Sequence, residues 1–371
     1  MKTKHFLSIF LIVLCLSTNG QGIRMDLGGP THTGVYETEP LRTFSKVKWK
    51  TEIKGRGKQN CLTQDGVLYM SSVERHKDKS VTGHIYALEL KNGKMKWETE
   101  MENSNVSSPS IRDSIIFYGS DNIIGIQYAV NIKNGNILWQ FKTQGRTCWP
   151  PAIVEDKNFF GCHGNENKLY VINNKTGKLI HEKNIDGGIC NCASIKENVI
   201  YFIDLKGTLH AMNTETYEDI WTFKTGTKSY NSPAIVDQTA YLINKAGTVF
   251  SVDIETGKLN WSFKINDVIT RSPAVKDGIA TLITNNGHIY ALNSSDGSVK
   301  WQHNKPGLGY TNSAIVDDIV YFGCADNFLY AFELKTGKEL WKFESDAPVN
   351  SPVIENGIVY FSSGNYVYAL H

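Results

Sequence analysis

Leu329–Phe343 reads LYAFELKTGKELWKF. Tyr330, Phe332 and Leu334 alternate with Ala331 and Glu333, the period of two that marks a strand with one buried face. Thr336-Gly337-Lys338 then supplies a tight turn in which glycine tolerates positive φ, and Leu340-Trp341-Phe343 returns as the next strand. A single hairpin is unstable in water, so the unit requires further strands.

The chain supplies them by repetition. Trp49, Trp97, Trp139, Trp221, Trp261, Trp301 and Trp341 recur, and His181 stands where one more tryptophan is due, after Thr176-Gly177-Lys178. The successive gaps are 48, 42, 42, 40, 40, 40 and 40 residues. A period near 40 with four short strands per unit predicts the blades of a β-propeller. The other strands repeat too: Ser232-Pro233-Ala234-Ile235-Val236, a polar turn at Asp237, then Tyr241-Leu242-Ile243, echoed by Ser272-Pro273 and Ser351-Pro352.

The two ends of the chain complement each other. The segment around Trp49 is one strand without three predecessors, whereas Ser351–Leu370 supplies three strands and stops before any tryptophan strand. The sequence therefore predicts an all-β, eight-bladed propeller over residues 43–371, closed by its N-terminal strand completing the last blade, so that no free edge remains between first and last blades. Residues 1–20, with Lys2, Lys4 and an apolar run from Phe6 to Leu16, read as a signal peptide too short to span a bilayer in the mature chain. Cys15 raises lipidation, but the large Leu14 precedes it. Residues 21–42, rich in glycine and turn formers, are expected as a surface lead-in.

Lys plus Arg number 39 and Asp plus Glu 37, a balance that implies no general affinity for nucleic acid or anionic membrane. No further long apolar run follows the signal peptide, and the propeller is expected to be a monomer. The Tyr-Ala-Leu, Thr-Gly-Lys, Trp and Ser-Pro pattern resembles the PQQ-like repeat, from about Thr43 to Leu370. That resemblance implies a propeller and leaves two relatives in view: quinoprotein dehydrogenases, which carry PQQ with Ca²⁺, and the non-enzymatic BamB-like propellers of outer-membrane protein assembly. The dehydrogenases are longer and carry an adjacent cysteine pair over the quinone. Here the nearest approach is Cys190-Asn191-Cys192. No G-x-S-x-G, H-E-x-x-H, phosphate-binding loop or Ca²⁺ loop is present.

Alignment of the blades places Cys148, Cys162, Cys190 and Cys192 on one face with His163. Disulfides, buried thiols or a metal site are the three readings of that cluster. The register before each Ser-Pro reads Gln59, Ser107, Trp149, Asn191, Asn231, Arg271, Thr311 and Asn350, a polar collar around one mouth. With Arg146, Tyr230 and Tyr310 beside it, the collar presents tryptophan and arginine, the usual anchors of protein contacts. The resulting expectation is an exported, non-catalytic scaffold of the periplasm, cell surface or exterior that binds a protein or peptide there, with no cofactor. The alternatives are a PQQ-dependent dehydrogenase and a glycan-binding module.

Overall fold

The computed structural model of the protein describes residues 23–371 apart from Asp26, Lys58, Gln59, Asn103, Ile123, Cys148, Pro306, Leu308 and Tyr310, and the side chain of Glu102. The signal-peptide reading lies outside the described residues, as do Cys148 and Tyr310. All regular structure among the described residues is strand, arranged in eight antiparallel sheets. Blade 7 shows the pattern: Ala314–Val316, Ile319–Gly323, Phe328–Glu333 and Glu339–Glu344 from inside to outside. Blades 3, 4, 5 and 6 repeat it from Ala152–Val154, Ser194–Lys196, Ala234–Val236 and Ala274–Lys276 as innermost strands. Blade 2 runs from Val106–Arg112 and blade 1 from Leu62–Gln64. In blade 8, Val353–Glu355, Ile358–Ser363 and Tyr366–Leu370 are completed by Val47–Glu52, with Trp49 opposite Ala369 and Thr51 opposite Val367.

Each innermost hairpin turns on two residues, and the first of them holds a left-handed conformation in all eight blades: Asp65, Asp113, Glu155, Glu197, Asp237, Asp277, Asp317 and Asn356, with φ between 47° and 53°. That conformation matches the twist of the flanking strands. It places an acidic side chain at seven of the eight turns that ring one mouth of the channel. The other mouth, where the innermost strands begin, carries the collar.

The core lies between blades. Val316, Tyr321 and Leu329 of blade 7, for instance, pack with Val359, Phe361 and Leu370 of blade 8. The tryptophans tie neighbours together. Each indole N–H donates to a carbonyl outside its own blade: Trp49 to Leu90 at 2.9 Å, Trp221 to Ile254 at 2.9 Å, Trp301 to Leu334 at 2.8 Å, and Trp341 to Leu41 at 3.0 Å across the closure. Under six of the rings, all but Trp341 at the closure, lies the glycine of the next blade's outer turn. A Cβ on Gly257, Gly297 or Gly337 would come within 2.6–2.7 Å of the ring atoms of Trp221, Trp261 or Trp301.

The one position where the tryptophan itself is replaced shows a paired change. Where His181 replaces tryptophan, Tyr217 replaces the underlying glycine while keeping its left-handed φ of 59°. The two rings stack at 4.3 Å between centroids with 15° between planes. A smaller ring above makes room for a larger one below.

Candidate functional site

The collar is a ring of internal hydrogen bonds. Residues of that register reach the end of the second strand of their own blade, twelve positions on. Asn191 Nδ2 donates to Ile203 O at 2.5 Å, Thr311 Oγ1 to Gly323 O at 2.6 Å and Asn350 Nδ2 to Ser362 Oγ at 2.9 Å, while Ser107 Oγ accepts from Gly119 N at 2.8 Å and Asn231 Oδ1 from Ile243 N at 3.4 Å. One residue further along, a relay circles the mouth: Cys192 N donates to Ser232 Oγ, Ser232 N to Ser272 Oγ, Ser272 N to Asn312 Oδ1 and Asn312 N to Ser351 Oγ, at 2.9–3.2 Å. These polar side chains satisfy backbone that propeller closure would otherwise strand without partners.

Trp149, Tyr230, Asn231 and Arg271 do come together. With Leu27 they line a crevice of about 10 Å³. Trp149 also packs on the apolar cluster of blades 3 and 4. The Lys245 ammonium lies 5.8 Å from the centre of the half-buried Tyr230 ring. Arg146 stands apart, exposed on a short bridge in which it and His163 exchange backbone hydrogen bonds at 2.9 and 3.1 Å.

The cysteines converge only in part. A hydrogen bond with Cys190 raises the His163 pKa, so those two side chains meet. Cys162 instead donates to Glu166 O at 3.4 Å, with burial pushing its thiol pKa up to about 12, and Cys192 donates to Pro150 O at 3.4 Å. No two of the described cysteines are joined by a disulfide. A thiol held protonated is a poor metal ligand. The metal-competent group among the described residues lies elsewhere, at His84, Glu98 and Glu100 of blade 1. His84 Nδ1 is 3.0 Å from Glu98 Oε1, and Lys54 Nζ sits 2.6 Å from Glu100 and 3.3 Å from Glu98, so an ammonium already occupies the centre of the negative charge. Neither these carboxylates nor the buried histidine stood out in sequence. They lie on blade 1, where two strands, Val67–Arg75 and Val81–Glu89, each run to nine residues.

The lead-in expected at the surface lies inside the ring. Ile23–Arg24 pairs with Val106–Arg112, and the chain then crosses the channel against the free edges of the innermost strands. Carbonyls of Pro30, Thr31, Thr33 and Gly34 accept from the amides of Ile195, Ile235, Val275 and Ile315, equivalent positions in blades 4, 5, 6 and 7, at 2.7–2.8 Å. Met25, Leu27, His32 and Leu41 are buried. The turn formers that suggested an exposed segment instead let the backbone bend around the inside of the ring. Between this segment and the turn mouth lies a cavity of about 1120 Å³, bordered by blades 1, 5, 6 and 8.

His32 is wholly enclosed. Its Nδ1 lies 3.2 Å from Ser194 Oγ, whose own hydrogen goes to Pro233 O, so Nδ1 carries the proton and Nε2 is bare with no partner. Burial lowers the His32 pKa to about 3. The folded value is below the unfolded one of about 6.5, so stability is fully present above pH 6.5 and declines as pH falls toward 3. At pH 5 the docked lead-in should lose about 2 kcal/mol relative to pH 8. Amide exchange at Ile235 and Val275, measured at both pH values in wild type and His32→Asn, checks this. Asparagine tolerates the left-handed φ of 51°, and an equal pH response in the two proteins would refute the assignment.

No helix among the described residues is long and apolar enough to cross a membrane. Comparison with solved structures places this geometry among other propellers. BamB from Moraxella catarrhalis is 15% identical with a TM-score of 0.69, covering 87% of this chain and 99% of its own. The computationally designed Ika8 protein is 16% identical with a TM-score of 0.73, covering 88% and 100%. A europium-containing methanol dehydrogenase is 13% identical with a TM-score of 0.76, covering 94% and 98%. An assembly factor, a designed protein and an enzyme share one architecture, so at these identities the likeness is one of fold. No curated protein sequence matches the chain. The sequence does match the family described as outer membrane protein assembly factor BamB, in overlapping segments at residues 42–193, 125–267 and 205–370. With the match unbroken from the closing strand to the last, this chain belongs to the BamB family of PQQ-like repeat propellers.

Proposed function

We propose that the chain is an exported, non-catalytic, monomeric scaffold of the cell envelope that binds a protein partner at its collar mouth. The observation that carries this reading is the nearly closed collar mouth. Residues 30–34 occupy the inner strand edges of four blades, and at the collar mouth Leu27 and Trp149 leave only about 10 Å³. Pockets for organic ligands hold roughly 300–1,000 Å³, so the residues at this mouth do not fit a quinone, and no adjacent cysteines are present to cover one. What the mouth offers is a nearly closed surface with Trp149, Tyr230 and Arg271, side chains that dominate protein contacts.

Immobilised wild-type chain and the Trp149→Ala/Arg271→Ala variant, each exposed to detergent-solubilised native envelope, should differ by about tenfold or more in the partner retained. Equal retention would count against the collar mouth. Dye reduction on adding quinone and Ca²⁺ would count against a non-catalytic scaffold.

A further inference from the structure

We infer that the turn mouth takes an extended, basic peptide segment of a partner, bound through the inward amides of Thr63 and Ile354. In each innermost hairpin the residues flanking the two-residue turn pair with each other, which leaves the amide of the middle residue pointing into the channel. The lead-in shows what such an amide binds: in blades 4–7 it donates to a carbonyl of the lead-in as that segment bends around the ring, and in blade 2 Ile111 pairs with the strand residue Arg24. By register, the equivalents in blades 1 and 8 are Thr63, opposite Leu68, and Ile354, opposite Val359. Neither amide donates to the lead-in, and both residues line the cavity of about 1120 Å³. In blade 3 the corresponding Ile153 belongs to an apolar cluster against which Ile23 packs, and it does not line the cavity.

The ring therefore binds main-chain carbonyls of its own lead-in through these amides and keeps two adjoining positions of the same kind facing an open basin. Adding an extended chain to a free strand edge is a general mode of peptide recognition, with main-chain hydrogen bonds giving affinity. Charge decides what else the occupant carries. The basin wall holds Glu37, Asp237, Asp277 and Glu355 against Arg24 and Lys276, within a crown of acidic turns. A phosphate or carboxylate would meet this field unfavourably, whereas a peptide brings neutral carbonyls to the amides and lysine or arginine to the wall. The inference rests on the scaffold reading but on the opposite mouth, so the two fail separately.

Amide exchange followed by NMR on the full mature chain tests it, with acetylated and amidated Lys-Thr-Val-Thr-Val-Lys as probe and Glu-Thr-Val-Thr-Val-Glu as control. Without peptide, Thr63 and Ile354 should exchange faster than Ile235 and Val275. Saturation with the lysine peptide should slow both at least tenfold, and the glutamate peptide should not. Ile354→Pro, which removes the donor at a channel-facing edge, should weaken binding of the lysine peptide at least tenfold, as should Glu37→Gln/Glu355→Gln, which leaves every amide in place and decides the question if the proline variant does not fold. The Trp149→Ala/Arg271→Ala variant should bind this peptide as wild type does. Unchanged exchange at Thr63 and Ile354, binding without protection there, or equal binding of the glutamate peptide would overturn the inference.

Discussion

Trp49→Ala should destabilise the protein by about 3–5 kcal/mol, the cost of truncating a buried indole whose surroundings cannot collapse. Trp49 is 8% exposed, its N–H is bound to Leu90 O at 2.9 Å, and its ring packs 5.8 Å from Tyr360 while resting on Gly93 of blade 1. It also lies on the only strand of blade 8 drawn from the far end of the chain. Loss of the indole therefore weakens the sheet that closes the ring and its contact with the following blade. Trp49→Phe, which keeps most of the ring but drops the hydrogen bond, should recover all but about 1 kcal/mol of this, beyond what the lost ring area costs. Urea midpoints for the three proteins provide the measurement. A loss below about 1 kcal/mol for the alanine variant would mean that closure does not depend on this indole.

The second prediction concerns the position where the repeat departs from itself. His181→Trp, although it restores the residue found in the other blades, should cost about 3 kcal/mol, because the larger ring must enter space that Tyr217 fills at a stacking distance of 4.3 Å. Adding Tyr217→Gly should remove most of that cost. It returns glycine to a backbone with φ of 59°, where a side chain carries about 1 kcal/mol of strain, and regenerates the tryptophan-on-glycine contact of the other blades. The coupling between the two substitutions should reach about 2–3 kcal/mol. Additive effects in the double-mutant cycle would show that the His181–Tyr217 exchange is not compensatory.

The tryptophan repeat was legible because its contacts recur. From Trp49 to Trp301 each repeat indole meets an equivalent glycine and an equivalent carbonyl in the next blade, so one physical requirement is written into the sequence at intervals near 40 residues. Even its exception showed as His181, although the compensating Tyr217 shows only once the rings are seen together. The collar was legible as a register but not as a role. Asn191, Thr311 and Asn350 are the residue types of a binding rim, yet their polar atoms face the second strand twelve residues on, and chain distance alone does not tell a solvated amide from one that satisfies backbone. The cysteines were legible only as a shared face. A shared face put Cys190 beside His163, but the directions of Cys162 and Cys192 depend on local packing that register does not carry.

By itself the sequence determined the all-β class, the number of blades and the use of the Trp49 strand to finish the last sheet, since each follows from a periodic pattern of side chains that bury one face and turn at fixed offsets. Only the tertiary structure decided what fills the channel. The lead-in, which is not itself part of the repeat, contributes long-range contacts such as Thr31 to Ile235 and His32 to Ser194, separated by more than 160 residues of chain in the latter case. Such contacts use inward amides and side chains that come together only once the ring has formed, so no local propensity or period could announce them.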